Sequence, residues 1–280
     1  MRQNHQRQPP RWGREILSQT GGGAPADSLE VRVSQTVRRA IDIIEFTSGT
    51  PHTLNEVADH LGVHRSTALR LLQDLTGGGL VRRRHDGRYG VGYRLLGLAQ
   101  LAREQFDLPN VAHEYLVSLA QLSGHTVHLA ALEGESIIYV DKVDPVGGVR
   151  LYSQVGEPVL LHTAAVSKAI LSQQPQDKLT VLLGRCQFER FTDTTITSRA
   201  AFLNELQVSR TRGWAVDDGE LEDFVNCIAV PVPSATDDVH VAVSITALKA
   251  KADLRQLEKE MLAPLFQTCA ALSKELGSKS

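Results

Sequence analysis

Residues 53–94 decide the fold of the N-terminal part, and they read TLNEVADHLGVHRSTALRLLQDLTGGGLVRRRHDGRYGVGYR. Thr53 is a favoured helix-capping residue, and apolar residues recur at helical spacing until Gly62, which predicts a short helix that ends at this glycine. A second helix is predicted over residues 65–75. Its buried face is expected to consist of three leucines, Leu69, Leu72 and Leu75. Two short helices joined by a turn containing glycine indicate a helix-turn-helix.

A basic ribbon follows the second helix. Residues 80–84 and 88–91 have the pattern of strands, and His85, Asp86 and Gly87 between them predict a hairpin turn. A helix-turn-helix followed by such a hairpin is a winged helix-turn-helix. A further helix from Ser34 is predicted to support it. The apolar stripe of this helix is expected to be Val37, Ala40, Ile41 and Ile44.

The charge distribution indicates that this region binds DNA. Residues 65–94 contain seven arginines and two acidic residues, although the whole chain has a formal net charge of −2. The second helix of a helix-turn-helix enters the major groove, and basic side chains contact phosphates. The predicted DNA-binding residues lie on the second helix and on the hairpin: Arg65, Ser66, Thr67, Arg70, Gln73, Arg82, Arg83, Arg84 and Arg88. Taken alone, the run 82–84 is equally well explained as a solvated strand edge.

The C-terminal part, residues 108–280, has 15 basic against 21 acidic residues. Apolar runs at 126–132 and 136–143 predict a β-hairpin. Further strands are predicted at 149–153, 214–217, 225–232 and 239–246. Helices are predicted at 109–123, 163–171 with Thr163 as the cap, 175–183, 198–212 and 253–276. Strands mixed with flanking helices in this order predict an α+β domain over an antiparallel sheet.

Composition excludes several other classes of protein. No run approaches the roughly 18 apolar residues that a membrane span requires, and the N-terminus lacks a secretory apolar core, so a cytoplasmic location without membrane contact is expected. The three cysteines, Cys186, Cys227 and Cys269, are far apart, and the histidines are scattered. These spacings indicate neither a disulfide framework nor a metal site, and no cofactor is predicted.

Three ordered segments give the chain a family resemblance over about residues 33–276. They are RSTALRLL at 65–72, LHTAAVSKAIL at 161–171 and GWAVDDGELEDFVNCIAVPV at 213–232. With them the chain resembles IclR-type transcriptional regulators. The resemblance implies an effector-binding domain with a GAF-like or profilin-like sheet, and a homodimer or a dimer of dimers. Two positions depart from the family pattern, because Ser167 and Phe224 stand where family members usually have glycine.

Four segments are therefore expected along the chain. Residues 1–28 are predicted to be a disordered tail, because they are rich in Gln, Arg, Gly and Pro. Residues 29–92 are expected to form the DNA-binding domain and residues 93–107 a linker helix. The leucines of this helix exceed what a lone linker needs, which suggests packing against another copy or the neighbouring domain. Residues 108–280 are expected to form the effector-binding and oligomerisation domain.

The resemblance also nominates an effector site. The residues that match the family's site are Leu151, Ala165, Val166, Asp217, Val225, Cys227, Ser244 and Thr246, and Thr163 is added to them from its place at a predicted helix start. The amides at 163–166 open a predicted helix, where unpaired N–H groups favour an anion such as a carboxylate. Ser244 and Thr246 alternate along one strand and therefore share a face. Structural explanations stay open for several of these residues. Thr163 is explained as a cap only, Cys227 as a small buried apolar side chain, and Asp217 as a loop or cap residue. Ser244 and Thr246 are explained equally as hydroxyls that face solvent.

Three functions are compatible with these features. The favoured one is a ligand-responsive DNA-binding regulator, expected to repress a catabolic or metabolic operon, whose effector is a small organic or aromatic acid. Such a regulator is not expected to be an enzyme, and no catalytic residue is predicted. A second is a DNA-binding protein whose C-terminal domain only dimerises. A third is an enzyme with Cys227 as nucleophile and His162 or His240 as base, although the sequence around Cys227 is acidic and apolar.

Overall fold

The computed structural model describes residues 34–105, 107–147, 151, 153–233 and 240–277, with the backbone alone for residues 103–105 and 107. The tail predicted over residues 1–28 lies outside this range. Contacts divide the chain into two compact units, one ending at Gln105 and one following it. Within the described ranges, no helix is both long and apolar enough to cross a membrane.

The first unit contains the predicted winged helix-turn-helix. Its elements are α1 (Gln35–Gly49), α2 (Leu54–Leu61), α3 (Arg65–Gly77), β1 (Val81–Arg83), β2 (Tyr89–Val91) and α4 (Arg94–Gln105). Strands β1 and β2 pair antiparallel, with Arg82 opposite Gly90. The helix-turn-helix and the hairpin wing were therefore predicted correctly from local sequence patterns.

Local hydrogen bonds explain where α2 begins and ends. Its first turn is a capping box: the Thr53 hydroxyl accepts from the Glu56 amide at 3.3 Å, and the Glu56 carboxylate accepts from the Thr53 amide at 2.6 Å. These bonds satisfy amides that the helix leaves unpaired. Gly62 ends the helix with φ of 61°, a left-handed conformation that glycine adopts without a steric penalty.

The core of this unit differs from the prediction at two helices. On α1, Val37 and Ile41 are 51% and 47% exposed, whereas Ile43 and Thr47 are buried. The buried stripe is thus rotated around the helix, and the Thr47 hydroxyl is satisfied by donating to the Ile43 carbonyl at 2.8 Å. On α3, Leu69 is only half-buried. It lies at the edge of a buried face whose members follow the spacing i, i+3, i+4 and i+7: Ala68, Leu71, Leu72 and Leu75.

The second unit is an α+β domain around one antiparallel sheet, as predicted. Its helices are α5 (Asp107–Ser123), α6 (Ala165–Ser172), α7 (Gln176–Leu182), α8 (Arg199–Arg212) and α9 (Leu254–Gly277). Its strands are β3 (Thr126–Glu133), β4 (Ser136–Val143), β5 (Ala215–Asp217), β6 (Val225–Val232) and β7 (Val241–Leu248). The strand order is β4-β3-β7-β6-β5, and every neighbouring pair is antiparallel.

Helices cover both faces of this sheet. Since side chains alternate along a strand, Ile228 and Val230 of β6 point to one face and Cys227 and Ala229 to the other. The first face forms a core with α5 and α9, and the second forms a core with α6, α7 and α8. The residues that β5, β6 and β7 contribute to the predicted effector site lie on the second face.

Two predicted local features are wrong. Leu151 and Ser153 belong to no strand, and the remaining residues of the predicted strand 149–153 lie outside the described part. Instead, residues 156–159 run along β4, where the Val159 amide donates to the Ile137 carbonyl at 2.7 Å. Thr163 does not cap α6, because the helix begins two residues later, at Ala165, with Ala164 as its N-cap.

Candidate nucleic-acid interface and effector site

Helix α3 presents its predicted DNA-binding residues to solvent. Arg65, Ser66, Arg70 and Gln73 are exposed, and Thr67 is half-buried. No hydrophobic residue of the core lies on this side, because the buried face of α3 is the opposite one. His64 caps the helix through Nδ1, which accepts from the Ser66 amide at 3.3 Å and lies 2.8 Å from the Ser66 hydroxyl. This cap fixes the N-terminal end of α3.

The four wing arginines have different surroundings. Arg82 and Arg83 are exposed, and the Arg82 guanidinium lies 4.9 Å from the centre of the Tyr93 ring. Arg84 is half-buried. Arg88 donates to the Pro51 carbonyl and to the Glu56 carboxylate, both at 3.3 Å. Arg88 therefore fastens the wing to the start of α2, a role that the sequence did not reveal and that competes with a phosphate contact.

The predicted effector residues of the sheet lie together. The Cys227 thiol donates to the Thr246 hydroxyl at 3.3 Å and lies 3.8 Å from the Asp217 carboxylate. Ser244 lies two residues before Thr246 on β7, and Val225 lies two residues before Cys227 on β6. Both therefore share the face of Thr246 and Cys227. Ala165 and Val166 of α6 pack in the same core as Cys227. The sequence thus identified neighbours that come from three strands and one helix.

Three polar side chains that extend this cluster were missed. The Thr246 hydroxyl lies 3.3 Å from His128 Nδ1, and His128 Nε2 lies 2.7 Å from the Ser153 hydroxyl. The rings of His128 and Tyr139 are 4.9 Å apart. Burial lowers the pKa of His128 to about 3, so its imidazole is neutral at physiological pH. A histidine inside the otherwise apolar strand 126–132 was the available signal.

A buried ion pair lies beside Asp217. Lys168 of α6 is fully buried, donates to the Val216 carbonyl at 2.9 Å and pairs with the Glu220 carboxylate. The Glu220 amide in turn donates to Asp217 at 2.7 Å. Burial raises the pKa of Asp217, and it raises that of Glu220 to about 7 although Lys168 opposes the shift. Lys168 was missed although a lysine in the apolar helix AVSKAIL is itself a signal.

The start of α6 offers polar groups that no side chain caps. Ala164, the N-cap residue, makes no side-chain cap hydrogen bond. Thr163 is fully buried, and its hydroxyl has no hydrogen-bond partner in the part of the chain that the structure describes. The Ser167 hydroxyl points back at the preceding loop, 2.7 Å from the Ala164 carbonyl and 2.8 Å from that of Leu161. The serine that replaces the family's glycine therefore braces this loop.

Leu151 is positioned by its backbone. Lys142 Nζ donates to the carbonyls of Leu151 and Ser153, at 2.8 and 2.9 Å. Leu151 and Thr246 both line a void of about 20 Å³, which is too small for an organic ligand. A larger cavity of about 320 Å³ lies at the end of α5, between Val117, Val143 and Lys251, and contains none of the predicted effector residues.

The geometry contradicts the reading of Cys227 as a nucleophile with His162 as its base. His162 lies 2.9 Å from the Glu189 carbonyl and 3.8 Å from the thiol of Cys186, a different cysteine. Burial, followed by the charge of Asp217, raises the pKa of Cys227 well above its ordinary value. The thiol therefore stays protonated and a poor nucleophile at physiological pH.

The fold and these two sites define a class: a transcription regulator with a winged helix-turn-helix and a separate α+β domain. Comparison with known families agrees with it. Residues 36–85 match the IclR helix-turn-helix domain, and residues 100–274 match the family described as bacterial transcriptional regulator IclR C-terminal. The chain belongs to the IclR family of DNA-binding transcriptional regulators.

Individual relatives span almost the whole chain. The Escherichia coli (strain K12) regulator XynR is 29% identical over 248 residues, which cover 88% of this chain and 98% of XynR. The DNA-binding transcriptional repressor YiaJ of the same organism is 29% identical over 272 residues, covering 95% and 96%. Both are regulators of transcription rather than enzymes.

Solved structures share the fold. The crystal structure of Thermotoga maritima IclR is 29% identical, has a TM-score of 0.72 and covers 86% of this chain and 98% of its own. An IclR homologue from Microbacterium hydrocarbonoxydans, crystallised with 4-hydroxybenzoate, has a TM-score of 0.74 and covers 87% and 100%. The second is 20% identical, so it shows the fold alone.

The Lys168–Glu220 pair predicts how stability depends on pH. The folded-state pKa of Glu220, about 7, lies above its ordinary value of 4.5. The folded protein therefore holds this proton more tightly than the unfolded chain does, and stability falls as the pH rises from 4.5 to 7. Relative to Glu220→Gln, the wild type should lose up to about 3 kcal/mol of unfolding free energy across this window.

Urea denaturation at pH 4.5, 6 and 8 measures the unfolding free energies of the wild type and of Glu220→Gln. Taking their difference removes the contribution of the titratable groups that both proteins contain. Asp218→Asn is the matched control, because Asp218 forms an exposed ion pair with Lys249 at 2.8 Å close by. Its difference from the wild type should not change over the same range. A wild-type minus Glu220→Gln difference that is independent of pH would contradict the assignment.

Proposed function

We propose that this protein is a ligand-responsive repressor of a catabolic or metabolic operon. One observation carries the proposal: a recognition helix with an exposed polar face occurs in the same chain as a sheet whose buried face carries a polar cluster around Asp217, Cys227 and Thr246. YiaJ is named as a repressor, which supports the direction of regulation. A protein that acts on the chromosome of a bacterium works in the cytoplasm, which is the proposed location.

The proposed partner of the first unit is double-stranded operator DNA. Arg65, Ser66, Thr67, Arg70 and Gln73 face the major groove in this proposal. The exposed wing arginines contact phosphates, which positions the unit without reading sequence. Arg88 contributes mainly by holding the wing, since its guanidinium is bonded to Glu56 and Pro51.

A second copy of the chain is the other proposed partner. Helix α4 carries side chains that the first unit leaves largely exposed: Tyr93 just before it at 72%, and Leu96, Leu98 and Leu101 at 69%, 44% and 56%. A cluster of exposed apolar residues of this kind indicates an interaction surface. A homodimer, or a dimer of dimers, would cover it and would place two recognition helices on one pseudo-palindromic operator.

The proposed effector is a small organic or aromatic acid. The uncapped start of α6, at Ala165 and Val166, offers amides and a positive dipole end to a carboxylate. The pKa of Asp217 is raised by burial, which favours a neutral carboxyl group that repels an acid less and can donate a hydrogen bond to it. The 4-hydroxybenzoate bound by the Microbacterium hydrocarbonoxydans homologue belongs to this chemical class.

The effector acts in this proposal by shifting a conformational equilibrium. An organic acid is far larger than the 20 Å³ void beside Leu151 and Thr246, so the ligand binds a form in which this region is open. A ligand that prefers one of two forms shifts the population toward it by its differential affinity. The competing proposal, a C-terminal domain that only dimerises, involves no such response.

Arg70→Ala should weaken DNA binding, because it removes an exposed guanidinium from the centre of the recognition face. We expect a loss of about tenfold or more in affinity for a duplex selected in vitro with the wild-type protein. Fluorescence anisotropy at physiological salt measures it. Arg210→Ala, an exposed arginine of α8, is the control and should bind like the wild type. Equal affinity of Arg70→Ala and Arg210→Ala would refute the recognition-face assignment.

Replacing Leu96 and Leu101 together by glutamate should dissociate the dimer. Each glutamate places a charge on the apolar surface that a second copy is proposed to cover, and burying an unpaired charge is costly. Sedimentation analysis should show a lighter species than for the wild type. Val181→Glu, at a 58% exposed valine of α7, provides the control. Unchanged sedimentation of the double variant would remove α4 from the interface.

The double variant Ser244→Ala/Thr246→Val should lose the effector response and keep DNA binding. It removes two hydroxyls from the sheet face that packs against α6, with little change of volume. Thermal shifts are measured with 4-hydroxybenzoate and a panel of small organic acids. Thr180→Val, at an exposed threonine of α7, should respond like the wild type. A retained shift in the double variant would refute the site, and no shift in the wild type would favour the domain that only dimerises.

A further inference from the structure

His162 is oriented so that one ring nitrogen can act as a base. Its Nε2 lies 2.9 Å from the Glu189 carbonyl oxygen, which can only accept a hydrogen bond. In the neutral ring, Nε2 therefore carries the proton and Nδ1 keeps its lone pair. Nδ1 lies 3.8 Å from the Cys186 sulfur. A thiol, a base and a group that orients the base are the arrangement that activates a cysteine.

The surroundings of the pair differ from those of the other two cysteines. Cys186 is half-buried, whereas Cys227 and Cys269 are 9% and 1% exposed. Its own loop, between α7 and α8, contains four charged side chains, Arg185, Glu189, Arg190 and Asp193, whose charges sum to zero. A partly exposed thiol next to a base is typical of a reactive cysteine rather than of a structural one.

The backbone at this place is strained. Phe188 has φ of 47°, and it is the only non-glycine residue with positive φ in the part of the chain that the structure describes. The centre of its ring lies 5.5 Å from that of the His162 ring, and the centre of the Phe191 ring lies 5.8 Å from that of His162. Conformations of this kind persist where the surroundings hold them, and they often mark functional sites.

We propose that Cys186, activated by His162, is a covalent modification site for apolar carbon electrophiles of the α,β-unsaturated carbonyl class. The thiol proton moves to His162 Nδ1, and the sulfur electron pair forms a C–S bond to the β-carbon. The electrons of the carbon–carbon double bond shift toward the carbonyl, and the α-carbon takes the proton back. All atoms are retained in the adduct, and no oxidant is consumed.

A disulfide is not the product, because no second thiol is placed to resolve it. Cys227 contacts Thr246 and Asp217 on the sheet, and Cys269 faces the Val230 carbonyl at 3.6 Å in the core on the opposite side of the sheet. The aromatic rings of Phe188 and Phe191 near the pair favour an apolar reagent.

The site adjoins the proposed effector site through the backbone. His162 is followed directly by Thr163 and by the start of α6. An adduct on Cys186 displaces the thiol from His162 and disturbs the loop that leads into this helix. The regulatory consequence therefore rests on the proposed function, but the modification of Cys186 does not, so the two can fail separately.

The test uses N-ethylmaleimide on the full-length protein, with adduct formation at Cys186 followed by peptide mass spectrometry. We expect the rate at pH 7 to fall at least tenfold in His162→Asn. His113→Asn, at a histidine paired with Asp141, is the matched control and should react like the wild type. Cys186→Ser verifies the assignment of the adduct. Equal rates in wild type and His162→Asn would overturn the proposal.

A second measurement needs no variant and so stays decisive if His162→Asn fails to fold. A thiol of ordinary pKa gains roughly 25-fold in thiolate, and hence in rate, between pH 7 and 9. For Cys186 we expect less than a fivefold rise over this range, with N-acetylcysteine measured in parallel. A pH profile that matches N-acetylcysteine would show that His162 does not activate the thiol.

Discussion

The buried contact between Lys168 and Glu220 connects the elements that surround the polar cluster of the second unit. Two charges taken out of water are tolerated only when each is bonded to the other and to further groups. Lys168 meets this condition through Glu220 and the Val216 carbonyl, and so joins α6 to the loop after β5. Glu220 Oε2 has no hydrogen-bond partner in the described part of the chain, which agrees with the raised pKa of this acid. Because the Glu220 amide also holds Asp217, the pair fixes the acid around which the polar cluster is built. The same contact therefore contributes to the packing of α6 and to the proposed effector site.

On the surface of the first unit, too, one side chain bonds two elements. Glu56 completes the cap of α2 and also accepts from Arg88 of the wing, so one carboxylate serves the helix and the hairpin. Hydrogen bonds from Thr53 lower the pKa of Glu56, with a smaller contribution from Arg88, which keeps it ionised. These polar contacts do not involve the exposed face of α3, whose side chains remain directed toward solvent.

The features that were predicted correctly from the sequence depend on interactions between residues close together in the chain. Thr53 and Gly62 bound a helix through local backbone groups, and alternation put Ser244 and Thr246 on one face. The missed features join residues far apart in the chain, such as Lys168 with Glu220 or His128 with Thr246, and no local pattern encodes such pairings. The error at 149–153 has the same origin. The Lys142 side chain bonds the carbonyls of Leu151 and Ser153, and residues 156–159 pair with β4; neither contact is visible in the local sequence pattern.

The capping box and the wing anchor have a consequence for protein engineering. Thr53, Glu56, Pro51 and Arg88 all lie outside residues 65–77, so the surface of α3, the proposed recognition helix, can be changed without altering these contacts. Its exposed positions are distinct from the apolar positions that form the core. Exchanging a few exposed side chains of α3 therefore leaves the start of α2 and the attachment of the hairpin intact.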